Sequence, residues 1–231
     1  MLTCDRLGAG YGKVQIVWDL SLRVGPGECV ALVGKNGMGK STLLKAIMGV
    51  ATRQGGTVSI AERDVSAART HEIVRLGVAY VAQDEASFED MTVDENLRLG
   101  ALRVPDYARA RDAAIAGFPI LGERLGQRVG TLSGGQRKML LVARALIASP
   151  KLVILDEVSE GLQPSVRDAL AERLLDYRRT SAASIFIVEQ NLQFALRVAD
   201  RFAVLNGGRI VEEGDAADAQ APALIERHMT L

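Results

Sequence analysis

The chain has 231 residues, with 28 Lys+Arg against 28 Asp+Glu and no formal net charge. That length suits one large α/β domain or two small ones. The balanced charge argues against a nucleic-acid partner, with only a local basic patch left open.

No apolar stretch reaches bilayer length, since even residues 139–148 are interrupted by Arg144, so direct membrane insertion is not expected and any membrane contact goes through a partner. Residues 1–6 lack the charged leader and apolar core of a secretory signal. Cys4 and Cys29 lie far apart and match no metal-ligand spacing, which predicts buried free thiols in a reducing cytosol rather than a disulfide.

In chain order, residues 2–33 carry alternating apolar segments such as Val14-Gln15-Ile16-Val17-Trp18-Asp19-Leu20-Ser21-Leu22, joined by Gly25-Pro26-Gly27. The pattern predicts strands of an antiparallel sheet. Tyr11 stands alone among glycines at 8–12. An aromatic there is ordinarily a surface or hairpin residue, and only its place upstream of the next motif makes base stacking worth considering.

The apolar run Cys29-Val30-Ala31-Leu32-Val33 predicts a buried strand, and residues 41–48 a helix. Between them, Gly34-Lys35-Asn36-Gly37-Met38-Gly39-Lys40-Ser41-Thr42 has the spacing of a phosphate-binding P-loop. Gly34, Gly37 and Gly39 permit backbone conformations that turn successive N–H groups onto an anion, and the helix behind aims its positive end at the same place. Lys40 supplies a mobile point charge for the outer phosphates and Ser41 a hydroxyl for Mg²⁺. Asn36 and Thr42 belong to the same candidate nucleotide-binding stretch.

Gly55-Gly56 predicts a turn before a strand at 57–60. A further core strand is expected at 78–82, with Gln83 at its carboxyl end, where an amide can reach a metal or an attacking water. Taken alone, Gln83 reads first as a plain surface residue. From Asp84 to about Gly130 the pattern turns helical, notably at 93–102 and 107–118, and predicts a helical insertion. Leu132-Ser133-Gly134-Gly135-Gln136 closes it. Ser133 suits a helix cap and the glycines let backbone amides approach a ligand. A bare cap explains Ser133 but not the whole pentapeptide.

The run Lys151-Leu152-Val153-Ile154-Leu155-Asp156-Glu157 predicts a strand covered on both faces and ending in two carboxylates, which repel unless a cation or a catalytic role justifies them. The natural division gives Asp156 to the Mg²⁺ shell and Glu157 to the water that attacks the γ-phosphate. The alternative is a solvated strand end capping the next helix. A strand at 184–188 ends in Glu189-Gln190-Asn191, and residues 202–205 and 209–211 predict a hairpin around Asn206-Gly207-Gly208. The tail after Gly214 is short and alanine-rich, with no element assigned.

Together these motifs resemble the ATP-binding subunits of ABC transporters over nearly the whole chain, in the family's order and at compatible separations. The resemblance implies a single domain, 1–231, with a P-loop NTPase (RecA-like) α/β core, an N-terminal antiparallel β subdomain and a helical ABC signature subdomain. Residues 1–83 and 146–231 would form the β subdomain and core, and 84–145 the helical part.

It further implies Mg²⁺ and ATP as cofactors, with two ATP molecules sandwiched in a head-to-tail dimer, each between one P-loop and the partner's Ser133, Gly134, Gly135 and Gln136. Tyr11 matches the adenine-stacking aromatic, Gln83 the Q-loop glutamine and metal ligand, Asp156 the metal carboxylate, Glu157 the catalytic carboxylate, and residues 159–162 the D-loop. Where the family's switch histidine should stand this chain has Gln190, which can hydrogen-bond a γ-phosphate but cannot carry a proton. A modest hydrolysis rate is expected from that change. Val158 replaces the proline that commonly follows the glutamate.

The stretches 157–164, 188–191 and 36–40 look most like the branched-chain amino-acid importer branch, where Gln in place of histidine is usual in one of two paired ATPases. Urea and amide importers are similar. The resemblance implies a peripheral subunit at the cytoplasmic face of the cell membrane, pairing with itself or a related ATPase. It would dock on permease proteins through residues around 87–97 and serve an extracytoplasmic solute-binding protein. A soluble ABC ATPase such as an iron-sulfur assembly partner would share every nucleotide motif. A chromosome-type ABC ATPase is opposed by the missing coiled coil, and a small-molecule kinase by residues 132–136.

Overall fold

The computed structural model describes residues 1–83 and 87–229. The expected start of the helical stretch at Asp84 therefore lies outside the described residues.

Two sheets and a helical layer make up the chain. The N-terminal sheet is antiparallel, in the order β2-β1-β4-β5, from β1 (Leu2–Tyr11), β2 (Val14–Val24), β4 (Thr52–Ile60) and β5 (Arg63–Asp64). The second sheet has six strands in the order β10-β9-β3-β8-β7-β6, built from β3 (Cys29–Val33), β6 (Val78–Val81), β7 (Leu152–Asp156), β8 (Ser184–Glu189), β9 (Arg201–Asn206) and β10 (Arg209–Asp215). All its pairings are parallel except β9 with β10.

The helices are α1 (Lys40–Ile47), α2 (Thr70–Arg75), α3 (Val93–Gly100), α4 (Tyr107–Gly117), α5 (Pro119–Gly122), α6 (Gly134–Leu146), α7 (Pro164–Ser181), α8 (Leu192–Val198) and α9 (Ala221–Met229).

Strands β3, β7 and β8 are buried along their entire length. Because side chains alternate across a strand, each of them feeds two cores. Cys29, Ala31, Val33, Val153, Leu155, Ile185 and Ile187 point into one, with α6, α7, α8 and the region of α3 to α5 packed over them. Val30, Leu32, Leu152, Ile154, Phe186 and Val188 point into the other, beneath α1 and the antiparallel sheet. Burying each large side chain of this kind contributes about 1.5–3 kcal/mol. The P-loop helix α1 and the helix α6 therefore lie on opposite faces of one sheet. Both cysteines are buried and free, as expected, and burial pushes each thiol up to about 12.

One local reading needs correction. Gly55 and Gly56 do not make a turn: β4 runs through them, and its pairing with β1 slips between Asp5 and Gly8. Gly56 has φ +71°, and a Cβ there would sit 2.2 Å from the Arg6 carbonyl oxygen, so the glycines serve a bulge and a close strand approach. The expected hairpin is present as β9 and β10, and β9 also pairs in parallel with β3 and so joins the central sheet. Finally, the alanine-rich tail folds as α9, burying Ala221 and Ile225.

Candidate active site at the carboxyl edge of the sheet

The carboxyl ends of β3, β8, β7 and β6 lie side by side and deliver residues 34–39, Glu189 and Gln190, Asp156 and Glu157, and Gln83 to one edge, where open α/β sheets bind ligands. Past β3, Gly37 and Gly39 have φ +80° and +100°, backbone positions that favour glycine and turn the loop into α1. Lys40 is the first residue of α1 and only 4% exposed. Its Nζ donates to the Gly34 and Lys35 carbonyl oxygens at 2.7 and 2.8 Å and pairs with Glu157 Oε1 at 3.1 Å. Asn36 and Gly37 are exposed at the loop's tip, and Ser41 is half-buried behind it.

Glu157 is the hub. It is 2% exposed, and its φ of +50° is uncommon for a residue with a side chain, a strain that persists only where the surroundings hold it. Here they do. Gln83 Nε2 donates to its Oε2 at 3.0 Å and Gln190 Nε2 at 2.7 Å, while Lys138 Nζ donates to its carbonyl at 2.9 Å. Gln190 Nε2 also donates to Asn36 Oδ1 at 2.7 Å, tying the P-loop tip to the switch position. Gln83 reaches Glu160 at 3.0 Å as well, which leaves its amide oxygen as the atom available to a cation.

Asp156 carries the metal question. The Ser41 hydroxyl donates to its carboxylate, and Tyr80 Oη donates to Oδ2 at 3.4 Å. Its Oδ1, however, is buried with no hydrogen-bond partner, an arrangement that costs about 1–3 kcal/mol unless something fills it. Burial, then the neighbouring Glu157, pushes this carboxyl up to about 6 against the opposing pull of Ser41 and Lys40. Among the described residues no group of three or more His, Cys, Asp or Glu could cage a metal. A hydroxyl beside one carboxylate instead suits Mg²⁺, which keeps waters and takes substrate phosphates as its other ligands.

Ser133 caps α6. Its Oγ accepts from the Gln136 N–H at 3.3 Å, and Gln136 Oε1 accepts from the Ser133 N–H at 2.9 Å. Ser133 and Gly134 are exposed, and Gly135 backs onto Val166, 3.3 Å from where its Cβ would be. Tyr11, 47% exposed, ends β1. Neither histidine stands in for the missing one: His71 lies on α2, and His228 on α9 faces Glu212 at 3.4 Å.

Two residues with roles here carry no motif. Lys138 lies one helical turn past Gly134, and its sequence signal is a cation directly before the apolar run 139–143 of α6. Glu189, 1% exposed, accepts from the Ser159 N–H at 3.0 Å and hydroxyl at 2.8 Å. Burial pushes it up to about 7 against those two bonds. An acid closing an apolar strand was its signal.

The fold and its loop define a P-loop NTPase. The ABC transporter profile matches residues 17–160. A branched-chain amino acid transport ATP-binding protein of Pseudomonas aeruginosa, BraG, is 39% identical over 91% of both chains. The probable branched-chain amino acid transport protein LivF of Archaeoglobus fulgidus is 37% identical over 94% of this chain and 92% of its own. The lipopolysaccharide export protein LptB of Escherichia coli is 32% identical over 92% and 90%. A solved ATP-binding subunit of an ABC transporter superposes with TM-score 0.83 at 29% identity, covering 97% of this chain and 94% of that one. The chain belongs to the ABC transporter ATP-binding family, whose members hydrolyse ATP. Among its described residues no helix is long and apolar enough to cross a membrane.

Proposed function

We propose that this chain is the ATP-hydrolysing subunit of an importer of branched-chain amino acids, working in head-to-tail pairs on permease subunits at the cytoplasmic face of the membrane. The transport reading rests on its likeness to BraG and LivF. The catalytic reading is carried by one observation: Lys40, Gln83 and Gln190 all converge on the Glu157 carboxylate.

A triphosphate entering the P-loop competes with Glu157 for the Lys40 ammonium. As Lys40 turns to the outer phosphates, Glu157 Oε1 is released, while Gln83 and Gln190 keep Oε2 oriented. The freed carboxylate then positions the attacking water and draws its proton. Gln190, already on Asn36, hydrogen-bonds the γ-phosphate side without transferring a proton. Ser41, Asp156 and the Gln83 amide oxygen would hold Mg²⁺, which neutralises charge on the phosphate oxygens. Tyr11 offers the adenine an exposed ring.

The α6 terminus packs on the face of the sheet opposite α1, so its turn, with Ser133 and Gly134 exposed and Gly135 and Gln136 half-buried behind them, suits a partner's nucleotide better than its own. A helix N-terminus there stabilises the γ-phosphate of ATP held across the interface. Residues 84–145 act as the helical subdomain. The likeness to LptB favours export as a second reading.

The test has two parts. Glu157→Gln should cut hydrolysis at least about 100-fold, roughly 3 kcal/mol of barrier, and trap an ATP-bound dimer on size-exclusion chromatography. A variant that stays monomeric at saturating ATP sinks the catalytic reading. Co-purified with its permease subunits and reconstituted in vesicles with the cognate solute-binding protein, the chain should drive leucine inward. Outward movement, urea or amide uptake, or recovery with soluble scaffold proteins alone would overturn the solute assignment.

A further inference from the structure

Away from the nucleotide site, α4, α6, α7 and residues 103–106 line an open cavity of about 820 Å³, within the range of small-molecule sites. Its floor is apolar, formed by Ala110, Ala114, Phe118, Leu146 and Ile147. Three guanidinium side chains, Arg103, Arg109 and Arg173, line it against one carboxylate, Asp106. That carboxylate is already engaged as the cap of α4, accepting from the Arg109 backbone N–H at 3.0 Å.

Arg173 carries the argument. Its Nε is buried and has no hydrogen-bond partner. The group rests on the last turn of α4: a Cβ on Gly117 would come within 1.9 Å of that Nε, so the glycine makes room for it. The Phe118 ring centroid lies 5.8 Å from the guanidinium carbon, and the charge is close enough to act on the Tyr177 phenol. Other arginines nearby satisfy themselves: Arg178 pairs with Asp200, and Arg197 with Asp168 and Glu172. A buried guanidinium N–H without an acceptor is a costly arrangement, and the half-buried fork it belongs to has geometry suited to a bidentate anion.

We propose that this cavity is a second ligand site, for a small organic anion with an apolar body and one carboxylate or phosphate head. Arg173 takes the head, with Arg103 and Arg109 at the mouth, and the body lies on Phe118, Leu146 and Ile147. An occupant there bridges α4 to α7, and so ties the helical region to a helix of the central sheet's core.

Calorimetric titration of the nucleotide-free chain with decanoate and with decyl phosphate, both below their micellar ranges, tests this. Decanol and inorganic phosphate serve as the head-less and body-less controls. At least one anion should bind saturably, and each control at least about tenfold more weakly. The tighter of the two anions identifies the head. Arg173→Met, which keeps the stem on Phe118, should weaken binding by at least about tenfold, and Ala114→Phe, which fills the floor, should abolish it. Lys40→Ala should leave binding unchanged, since Lys40 opens α1, on the face of the sheet opposite α6 and α7. Thermal unfolding checks that each variant is folded, and Arg173→Met decides alone if Ala114→Phe is not. The proposal is overturned by decanol binding as tightly as the anions, by no saturable heat, by an unchanged affinity in Arg173→Met, or by loss of binding in Lys40→Ala.

Discussion

Glu157 sits in a strained conformation inside a cage of donors, and the donor that departs from family expectation is Gln190, 2.7 Å from the carboxylate. An amide there orients but does not titrate. Gln190→Ala should lower kcat by about 10- to 100-fold, or roughly 1.4–2.7 kcal/mol, while ATP affinity changes little, because Lys40 and the loop amides remain. Gln190→His should add an acid limb to kcat near the ordinary histidine value of about 6.5. The native enzyme should show its acid loss in apparent nucleotide affinity instead. Asp156, pushed up to about 6, must be ionised to hold a cation, so Mg²⁺-dependent binding falls as pH drops through that value. Separate kcat and KM profiles against pH decide the matter, and a native kcat limb near 6.5 would refute it. The candidates Lys40, Asp156, Glu157 and Gln190 were all readable in the sequence, because short-range spacing at strand ends fixes where they emerge. Lys138 and Glu189 were not, since their partners Glu157 and Ser159 are 19 and 30 residues away.

Among the elements, α6 was legible from its cap, a Ser and a Gln three residues apart that satisfy each other's backbone N–H groups. Ser133→Ala should cost about 1 kcal/mol of stability, read by urea unfolding. It should also reduce hydrolysis by far more than nucleotide binding to the separate chain, read by fluorescent-nucleotide titration, and an equal effect on both would contradict a role across the dimer. The strand β8 ends in a second sensitive contact, Glu189 on Ser159. Its carboxyl is raised to about 7 from an ordinary 4.5. The folded chain therefore holds that proton over a pH window where the unfolded chain releases it, and the group's contribution is full below 4.5 and lost as pH rises through 7. Glu189→Gln, which keeps both bonds to Ser159, should remove up to about 3 kcal/mol of that decline. Urea unfolding at pH 5 and 8 measures it, with Asp156 supplying the remaining slope. Features that the local pattern did not carry had non-local causes. The bulge at Gly55 and Gly56 exists because β1 presses against β4, the parallel bond of β9 to β3 joins segments about 170 residues apart, and α9 is held by the strands beneath it.

At the scale of the molecule, the continuous apolar runs of β3, β7 and β8 made a two-sided sheet legible, whereas the layers on each face follow from crossovers that no local pattern encodes. The same layering leaves several large apolar side chains exposed, Phe88 among them. Phe88 is 54% exposed. Its backbone is fixed by the fully buried Asn96, which accepts from the Phe88 N–H at 3.1 Å and donates to its carbonyl at 3.0 Å. The Arg144 guanidinium carbon lies 5.9 Å from the ring centroid. Asn96 thus holds the chain at Phe88 whatever side chain is there, so the ring contributes little to the fold. Within the importer reading, where residues 87–97 face the permease, an exposed aromatic beside an arginine is the kind of anchor that dominates an interface. Phe88→Ala should change unfolding free energy by less than about 0.5 kcal/mol and leave nucleotide binding intact. It should weaken capture of the chain by detergent-solubilised permease subunits at least about tenfold, an interface loss of roughly 1.4 kcal/mol. Unchanged capture would move the docking surface elsewhere, and a large loss of stability would return Phe88 to the core.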